Sequence, residues 1–533
     1  MRKLAVLLLM ATMTLSACAL SPSPDDSAGA VTFLHLNDTY RIDAVEDGHR
    51  GGFGRVVTLI RQLRDEGRDV RLLHGGDFIY PSLESQLWDG EQMIEAMNFM
   101  HDLAPMYVVP GNHEFDNRDA NVLEAVVAQS RFDWIGDNLR FATGNKVVDG
   151  RLRQSYVVEM GGMRVGFLSL TVHAEHGGNE RDYAPVDIDY LAEAEQTLQD
   201  LERQGVDVVI GLTHLNLEQD RDIAALRATY PKLQIIAGGH EHEPEYEPGS
   251  PDRATIIKGA SNARTIWRVD VRRDAAQGIL VTASEIAIDD SIPSDLEYQR
   301  IADKWRESLL ELIPYLEAKI GEAAVPLDAR ETAVRNEESN WGVFIADQMR
   351  PAFGEPQADL AFVNGGTLRI DDFIIGDITF EDVGRTFGFS SYLRHMTMSG
   401  ADFRRLMEAG YRGAGPSKGY FPQISGYRIC ADRRRPEGQR VVSLQVPVAD
   451  GWQEIEPDKD YTLVAPDYLY NGGDGYDFSA ARNVSRPGSE LKYLVVDGIV
   501  RAQAEGRAIG AVSDPNQPRI VILDGQRSEC WPR

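Results

Sequence analysis

Apolar and polar positions alternate in two different ways along the first half of the chain. Five strand-like segments rich in apolar residues each end in polar residues or glycine: VTFLHLN, RLLHGGD, MYVVPGN, VDVVIGLTH and LQIIAGGH. Between the first two, RVVTLIRQLRDEG carries its apolar residues at helical spacing and ends in a glycine. The later segments TIWRVDVRR and GILVTASEIAI add strands without intervening helices. The pattern predicts a layered α/β domain with a mixed sheet over residues 31–290.

The pattern changes after residue 290. The segment SDLEYQRIADKWRESLLELIPYLEAKI is amphipathic at helical spacing and is interrupted by Pro314, which predicts a linker helix over residues 291–322. The remainder mixes helical segments such as NWGVFIADQMRPAF with strand-like segments such as RIVIL. It predicts a second α/β domain over residues 323–524. The chain length of 533 residues also supports two domains, because a chain of this length does not usually fold around one hydrophobic core.

The N-terminal segment MRKLAVLLLMATMTLSAC has the form of a secretory signal, with a basic start, a short apolar run and small residues at its end. The apolar run is too short to span a bilayer. Its last residues, LSAC, resemble a bacterial lipobox, so we expect residues 1–18 to be a lipoprotein signal and Cys18 to become lipidated. Ordinary cleavage nearby is the alternative. Residues 19–30 then form a flexible tether.

This N-terminus predicts a protein that is anchored in the cell envelope by lipid. Ala19 after Cys18 resembles lipoproteins sorted to an outer membrane, which in a Gram-negative cell places the protein in the periplasm or at the surface. Such a compartment tolerates disulfides, and the two remaining cysteines, Cys430 and Cys530, either pair or stay as free thiols. The oligomeric state is left open.

Composition restricts the classes of function. With 43% hydrophobic and 26% charged residues, the chain is typical of a soluble globular protein. It has 83 acidic and 55 basic residues, and this formal charge of -28 argues against a nucleic-acid polymer as partner, since that requires a basic surface. A small anionic substrate is still compatible with this negative charge, because bound cations can make the electrostatic potential positive at the site where they bind.

Each of the five strand-like segments of the first domain is followed by polar residues at its carboxyl end. In an open α/β sheet, ligands bind outside the carboxyl ends of the strands. A single aspartate there is more often a helix cap, and a single histidine more often a core group, but five such segments in order favour a metal site. The absence of cysteine among them excludes a thiolate zinc site. The candidate site residues at these strand ends are Asp38, Asp77, Asn112, His113, His214, His240 and His242.

The ordered motifs ND, GGD, PGNHEFD, GLTH and GGHEH resemble those of the calcineurin-like metallophosphoesterases. The C-terminal half extends the resemblance to the 5′-nucleotidase / UDP-sugar hydrolase / 2′,3′-cyclic phosphodiesterase family, over about residues 31–523. The resemblance implies a metallophosphoesterase domain followed by a substrate-binding domain. It also implies two divalent metal ions, Zn, Mn, Co or Fe, with Mg and Ca as further alternatives. Asp77 would bridge the ions, one held with Asp38 and His242, the other with Asn112, His214 and His240.

The resemblance also implies a catalytic pair in the motif GNHEFD. His113 would stabilise the transition state or protonate the leaving oxygen, and Asp116 would orient the His113 ring. Without a histidine three positions earlier, Asp116 would be read as a turn or cap residue.

Four residues of the second domain match the family's substrate-binding positions. Arg335 in VRNEESNWG and Arg369 in NGGTLRID match arginines that bind the phosphate or ribose side, for which a planar guanidinium is suited. Phe389 in FGFS and Tyr476 in NGGDGYDF match the aromatic pair that stacks on a nucleobase. Packing of both rings in the core is the alternative.

The sequence departs from the family at the first metal site, where Tyr40 stands in place of the usual histidine. A neutral phenol, with a pKa of about 10, is a weaker ligand than imidazole. We therefore expect water to replace Tyr40 in the coordination, or Tyr40 to hydrogen-bond a metal-bound water. Sideways packing of Tyr40 is the alternative. If another group completes the first metal site, Asp43 is the next candidate ligand. The segment GFSS also replaces the family pattern PFGN, so an amide that helps to read the base is missing.

The predicted function is the release of phosphate from nucleotides outside the cytoplasm, foremost as a 5′-nucleotidase, with a hydroxide between the metals attacking phosphorus. A 2′,3′-cyclic-nucleotide phosphodiesterase or a UDP-sugar hydrolase is the alternative enzyme. A nucleotide- or metal-binding lipoprotein without catalysis is the alternative from another class. His113 and Asp116 favour the enzyme, because a binding protein needs no catalytic pair.

Overall fold

The computed structural model describes residues 29–117, 119–141, 143–172, 189–413, 418–510, 518–523, 527 and 529–531. The predicted signal, Cys18 and nearly all of the predicted tether lie outside the described residues. No helix within the described ranges is long and apolar enough to cross a membrane.

The N-terminal domain contains the strands and the helix that the hydrophobic pattern predicts. Its strands are β1 (Val31–Leu36), β2 (Asp69–His74), β3 (Met106–Val108), β4 (Asp133–Ile135), β5 (Leu152–Arg153), β6 (Val157–Met160), β7 (Met163–Leu168), β8 (Val208–Thr213), β9 (Leu233–Gly238), β10 (Glu245–Glu247), β11 (Thr255–Lys258), β12 (Thr265–Asp274) and β13 (Gly278–Ala287). Its helices are α1 (Phe53–Asp65), α2 (Leu83–Trp88), α3 (Glu91–Leu103), α4 (Ala120–Gln129), α5 (Lys146–Asp149), α6 (Tyr190–Arg203) and α7 (Leu217–Ala225).

Two mixed sheets form the centre of this domain. The first has the strand order β13-β12-β1-β2-β3-β4-β5, and the second has the order β10-β11-β9-β8-β7-β6. The strands β1 to β5 run parallel to one another, and so do β7, β8, β9 and β11. The strands β12, β6 and β10 pair antiparallel with β1, β7 and β11. The carboxyl ends of β1, β2 and β3 therefore meet at one edge of the first sheet, and those of β8 and β9 meet in the second.

The two sheets share one apolar core. Phe33 of β1, Phe167 of β7 and Ile210 of β8 are fully buried in a single cluster that includes both sheets. Separate clusters cover the outer faces, one under α1 and α3 and one under α6 and α7. The order of layers is helix, sheet, sheet, helix, which leaves the strand ends as the place where polar side chains can meet.

A helix, α8 (Leu296–Leu312), follows the N-terminal domain. The Asp295 side chain caps its first turn by accepting hydrogen bonds from the backbone of Glu297 and Tyr298. The helix ends before Pro314, whose preceding residue is kept out of the helical conformation, and is therefore shorter than the predicted segment 291–322. The chain then enters a strand of the next domain.

The C-terminal domain is a second mixed α/β unit. Its strands are β14 (Lys319–Glu322), β15 (Leu327–Asp328), β16 (Leu360–Asn364), β17 (Phe373–Ile374), β18 (Asp377–Thr379), β19 (Leu393–Ser399), β20 (Pro422–Ser425), β21 (Arg428–Asp432), β22 (Val441–Val448), β23 (Gly451–Glu454), β24 (Asp460–Pro466) and β25 (Ile520–Leu523). Its helices are α9 (Glu331–Val334), α10 (Asn340–Met349), α11 (Phe380–Thr386), α12 (Gly400–Met407), α13 (Asp467–Tyr470) and α14 (Leu491–Ala504).

Two four-stranded sheets, β19-β24-β16-β20 and β23-β22-β21-β25, organise this domain. Cys430 of β21 forms a disulfide with Cys530 near the end of the chain. The sequence leaves these two cysteines either paired or free, and the fold brings their Cα atoms to 5.5 Å from each other.

Candidate metal centre and active site

The two adjacent strands β1 and β2 are each followed by one aspartate at the same edge of the first sheet. Asp38 follows β1 and Asp77 follows β2, and both side chains are buried. Both residues have a positive φ, 51° for Asp38 and 58° for Asp77, a left-handed conformation that is uncommon for residues other than glycine. The backbone N–H of Asp38 donates to the carbonyl of Gly76 at 2.9 Å, which ties the two loops together.

The second sheet delivers the histidines. His214 follows β8, and its Nδ1 bonds the carbonyl of Gly75 at 2.6 Å. Its Nε2 then lies 3.3 Å from Asp77 Oδ2 and 3.2 Å from Asn112 Oδ1. A backbone bond to one ring nitrogen fixes which nitrogen remains available as a ligand. The ring of His240, after β9, lies 5.2 Å from that of His214 between centroids.

His242, Asp38, Asp77 and Tyr40 form a second group of donors beside the first. His242 Nε2 lies 3.4 Å from Asp38 Oδ1. The Tyr40 hydroxyl lies 3.0 Å from His242 Nε2, and 3.4 Å from both Asp38 Oδ1 and Asp77 Oδ2. Tyr40 points into the group, so the alternative of sideways packing is wrong. Asp43 lines a different cavity, between the domains, and does not join this group.

The donor separations fit metal coordination. Two donors that bind one ion at about 2.1 Å lie about 3.0 Å apart at a right angle and about 3.4 Å apart at the tetrahedral angle. The separations given above, 3.0 to 3.4 Å, lie within this range. Ligand atoms of Asp38, Asp77 and His214 also meet within 4.8 Å of one another. The carboxylate, amide and imidazole groups present are therefore suited to hold divalent metal ions.

His113 and Asp116 form a hydrogen-bonded pair next to these donors. His113 Nδ1 donates to Asp116 Oδ2 at 2.6 Å, and His113 Nε2 lies 3.8 Å from Asp77 Oδ2. Burial alone would lower the pKa of His113, but the carboxylates of Asp116 and Asp77 outweigh it and raise the pKa. The ring therefore keeps Nε2 directed at the centre and can hold a proton there.

Glu114, a residue that sequence reasoning missed, positions the loops that carry the predicted ligands. Its buried carboxylate accepts hydrogen bonds from the backbone N–H groups of Asp77 (2.9 Å), Phe78 (2.8 Å), Ile79 (3.1 Å) and Gly111 (2.5 Å). An acidic residue inside a glycine-containing motif, between two site residues, is the signal that could have identified it.

Lys258 is a second supporting residue that sequence reasoning missed. Lys258 is the last residue of β11 and is fully buried. Its Nζ donates hydrogen bonds to the carbonyls of Leu215 (2.7 Å) and Gly239 (2.8 Å). These carbonyls belong to residues adjacent to two predicted ligands. The same ammonium pairs with Asp220 at 2.7 Å and with Glu241. A lysine at the end of the apolar segment TIIK is a signal of such a buried ion pair.

Glu331 brings the C-terminal domain to the metal centre. His242 Nδ1 donates to the buried carboxylate of Glu331, which also accepts from Arg335 Nη2 at 2.5 Å and lies 3.8 Å from Arg369 Nη1. One carboxylate therefore joins a predicted ligand of one domain to both predicted substrate arginines of the other. The position of Glu331 four residues before Arg335 is the sequence signal for the pair, but nothing in the sequence links it to His242.

Glu331→Gln is expected to weaken metal binding at the first site about 10- to 100-fold, as removal of a partner of a ligating histidine does. The amide cannot stabilise His242 as a carboxylate does, and it leaves Arg335 without its ion pair. Titration of the metal-free protein with Mn or Zn in a competing chelator measures this. The exposed Glu337→Gln in the same segment is the control, and equal affinities in both variants would show that Glu331 has no role in metal binding.

The predicted aromatic pair does not form. Phe389 lies beside the active site, with its ring 5.6 Å from that of His113. Tyr476 is only 1% exposed, its ring packs 5.1 Å from that of Phe362, and its hydroxyl donates to the carbonyl of Tyr420 at 2.7 Å. The prediction that Tyr476 stacks opposite Phe389 is therefore wrong for this structure, because the Tyr476 ring is part of the C-terminal core.

Comparison with known proteins agrees with this fold. Residues 31–244 match the model of the calcineurin-like phosphoesterase family, and residues 319–481 match the 5′-nucleotidase, C-terminal domain. The fold and the site thus define a metal-dependent phosphoester hydrolase. More particularly, the chain joins a calcineurin-like phosphoesterase domain to a 5′-nucleotidase C-terminal domain.

Relatives align along most of the chain. The 5′-nucleotidase of Mus musculus is 25% identical over 512 residues, which cover 87% of each chain. The trifunctional nucleotide phosphoesterase protein YfkN of Bacillus subtilis is 26% identical over 514 residues, 88% of this chain and 33% of its own. The structure of a 5′-nucleotidase precursor from Thermus thermophilus superposes with a TM-score of 0.79 at 24% identity, covering 93% of this chain and 99% of its own. This last likeness establishes a shared fold.

Proposed function

We propose that the protein is a two-metal phosphohydrolase that releases phosphate from nucleoside 5′-monophosphates outside the cytoplasm. The observation that carries the proposal is a pair of buried guanidinium donors beside the predicted metal centre. Arg335 Nε and Arg369 Nη2 are buried and have no hydrogen-bond partner among the described residues. Unpaired buried donors are costly, and a tetrahedral oxyanion would satisfy both.

The residues around this position suit the hydrolysis of a phosphate ester. Two metal ions, when bound, polarise the phosphoryl oxygens and activate a water as nucleophile. Arg335 and Arg369 bind the remaining phosphate oxygens from the other domain. His113 holds a proton at Nε2 for the leaving oxygen, and Asp116 keeps its ring oriented. The apolar ring of Phe389, next to His113, suits a nucleoside as the leaving group.

The relatives support a nucleotide as the substrate. The aligned proteins from Mus musculus and Homo sapiens are 5′-nucleotidases, and a relative from Gloydius brevicauda is a snake venom 5′-nucleotidase. The Bacillus subtilis relative is a trifunctional nucleotide phosphoesterase, which also supports a nucleotide substrate. Cyclic nucleotides and UDP-sugars are the second candidate substrates. The N-terminal signal and its LSAC ending support lipid anchoring of the protein through Cys18 in the cell envelope.

A substrate panel tests the proposal. Phosphate release is measured from nucleoside mono-, di- and triphosphates, cyclic nucleotides and UDP-glucose, each with Mn, Zn, Co, Mg and Ca. We expect the highest kcat/KM with a nucleoside monophosphate. No turnover of any substrate with any metal would contradict the enzyme and favour a binding lipoprotein. Labelling with a palmitate analogue, lost in Cys18→Ser, tests the anchor.

Phe389→Ala is expected to raise KM for nucleotides, because base stacking contributes about 1–3 kcal/mol, which corresponds to roughly 5- to 150-fold. Hydrolysis of p-nitrophenyl phosphate should change little, since this small ester needs no base contact. Steady-state kinetics on both substrates measure the difference. Tyr476→Phe is the control, because its hydroxyl is bonded within the core, and its KM should stay at the wild-type value. Equal losses of Phe389→Ala on both substrates would contradict stacking.

A further inference from the structure

We infer that helix α2 of the N-terminal domain positions the Phe389 ring of the C-terminal domain for the nucleoside, with Glu84 and Gln86 as the positioning residues. The inference deepens the proposed function and rests on it, because Phe389 is the residue proposed to contact the base. It gives the N-terminal domain a part in nucleotide selectivity that is separate from the metal centre.

Two side chains of α2 bind the chain just before Phe389, in residues 384–389, which we call the Phe389 segment. Glu84 Oε1 lies 2.9 Å from Arg385 Nη2, and the two side chains are 13% and 9% exposed. Gln86 Nε2 donates to the carbonyl of Phe387 at 3.0 Å. Because this carbonyl is two residues before Phe389, the bond holds the backbone from which the ring extends.

Two glycines allow the Phe389 segment to approach α2 closely. A Cβ on Gly388 would lie 2.9 Å from Pro81 Cβ, and a Cβ on Gly384 would lie 3.3 Å from Leu83 Cδ2. The first distance is shorter than real Cβ contacts, so a side chain at position 388 would displace one of the two segments. The family pattern has a proline there, and the glycine of GFSS therefore permits a contact that proline would prevent.

Both sides of this contact continue into the active site. Helix α2 follows the loop of Asp77, whose backbone N–H is held by Glu114 at 2.9 Å. On the other side, the backbone N–H of Arg369 donates to the carbonyl of Thr386 at 2.8 Å, within the Phe389 segment. The contact with α2 therefore sets where the base-binding ring stands relative to the metal centre and the substrate arginine.

The first test is the kinetics of Gln86→Met, which retains the length of the side chain but removes the hydrogen-bond donor. Gln86 is exposed, so its replacement leaves the apolar core intact. We expect KM for the best nucleoside monophosphate of the panel to rise about 2- to 12-fold, as the net loss of one hydrogen bond does. The kcat value and p-nitrophenyl phosphate hydrolysis should stay at the wild-type level.

Gln196→Met is the matched control. Gln196 is also an exposed glutamine on a helix, but its Nε2 bonds Asp200 at 3.0 Å within α6. Its KM should stay at the wild-type value. An unchanged KM in Gln86→Met, or equal losses on the nucleotide and on p-nitrophenyl phosphate, would overturn the inference.

A double-mutant cycle separates positioning of the ring from general loosening of the domains. If Gln86 acts through Phe389, Gln86→Met should raise KM in the wild-type background and have no further effect in Phe389→Ala. The same factor in both backgrounds would overturn the inference, because Gln86 would then act by another route.

Hydrogen exchange supplies a readout that needs no substrate. Amides of residues 385–391 should exchange faster in Gln86→Met than in the wild type or in Gln196→Met, and faster still in Glu84→Gln. Equal exchange in all four proteins would overturn the inference. A panel without turnover would instead remove the proposed function, and exchange would still decide whether α2 holds the Phe389 segment.

Discussion

Replacement of His113 with alanine is expected to lower kcat about 10²- to 10⁴-fold and to leave the metal content at the wild-type level. The ring lies at the edge of the metal centre, and its Nε2 is 3.8 Å from Asp77 Oδ2, farther than the ligand separations there. Its other nitrogen is bound to Asp116 at 2.6 Å. His113 is thus placed to act on the leaving oxygen without binding an ion. Steady-state kinetics and elemental analysis of the purified variant measure the two effects.

Two further variants sharpen this result. Asp116→Asn should also reduce kcat, because the His113 ring loses the carboxylate that orients it and favours its protonated form. His49→Ala is the control, since the His49 side chain is 68% exposed and pairs with Asp290. A His113→Ala protein that loses one metal equivalent would instead identify His113 as a ligand.

Replacement of Lys258 with methionine is expected to lower the free energy of unfolding by about 3–5 kcal/mol, the cost of removing one partner from a buried ion pair. Lys258 is fully buried, and although burial acts to lower its pKa, Asp220 and Glu241 outweigh burial and raise it. Without the ammonium, both carboxylates lose their buried cation. The carbonyls of Leu215 and Gly239 also lose their donor, so the loops that carry the predicted ligands should loosen.

Chemical denaturation measures the stability loss, and titration with Mn or Zn measures the accompanying loss of metal affinity. Lys304→Met is the matched control: Lys304 pairs with Glu95 on the surface, with 55% of its side chain exposed, and should contribute less than about 1 kcal/mol. If Lys258→Met were as stable as Lys304→Met, the buried pair would not support these loops.

The sequence by itself determined the layered fold and most of the residues that meet at the centre. Apolar runs of strand length that end in Asp38, Asp77 or His214 mark the carboxyl ends of parallel strands, and such ends converge whenever the strands are neighbours. The family resemblance implied the pair of His113 and Asp116, whose contact is local because the two residues are three positions apart. These inferences depend on periodicity and on short-range geometry, which a single sequence contains.

Only the tertiary structure decided the contacts between residues that are distant along the chain. Glu331 reaches His242 across the two domains, and Lys258 pairs with Asp220, although no local pattern connects them. The disulfide and the burial of Tyr476 were decided in the same way. The orientation of Tyr40 depends on the positive φ of Asp38 and on packing against Arg369, neither of which residue type alone specifies. Side-chain direction at a strand end follows from backbone angles and neighbours, and these exist only after the chain has folded.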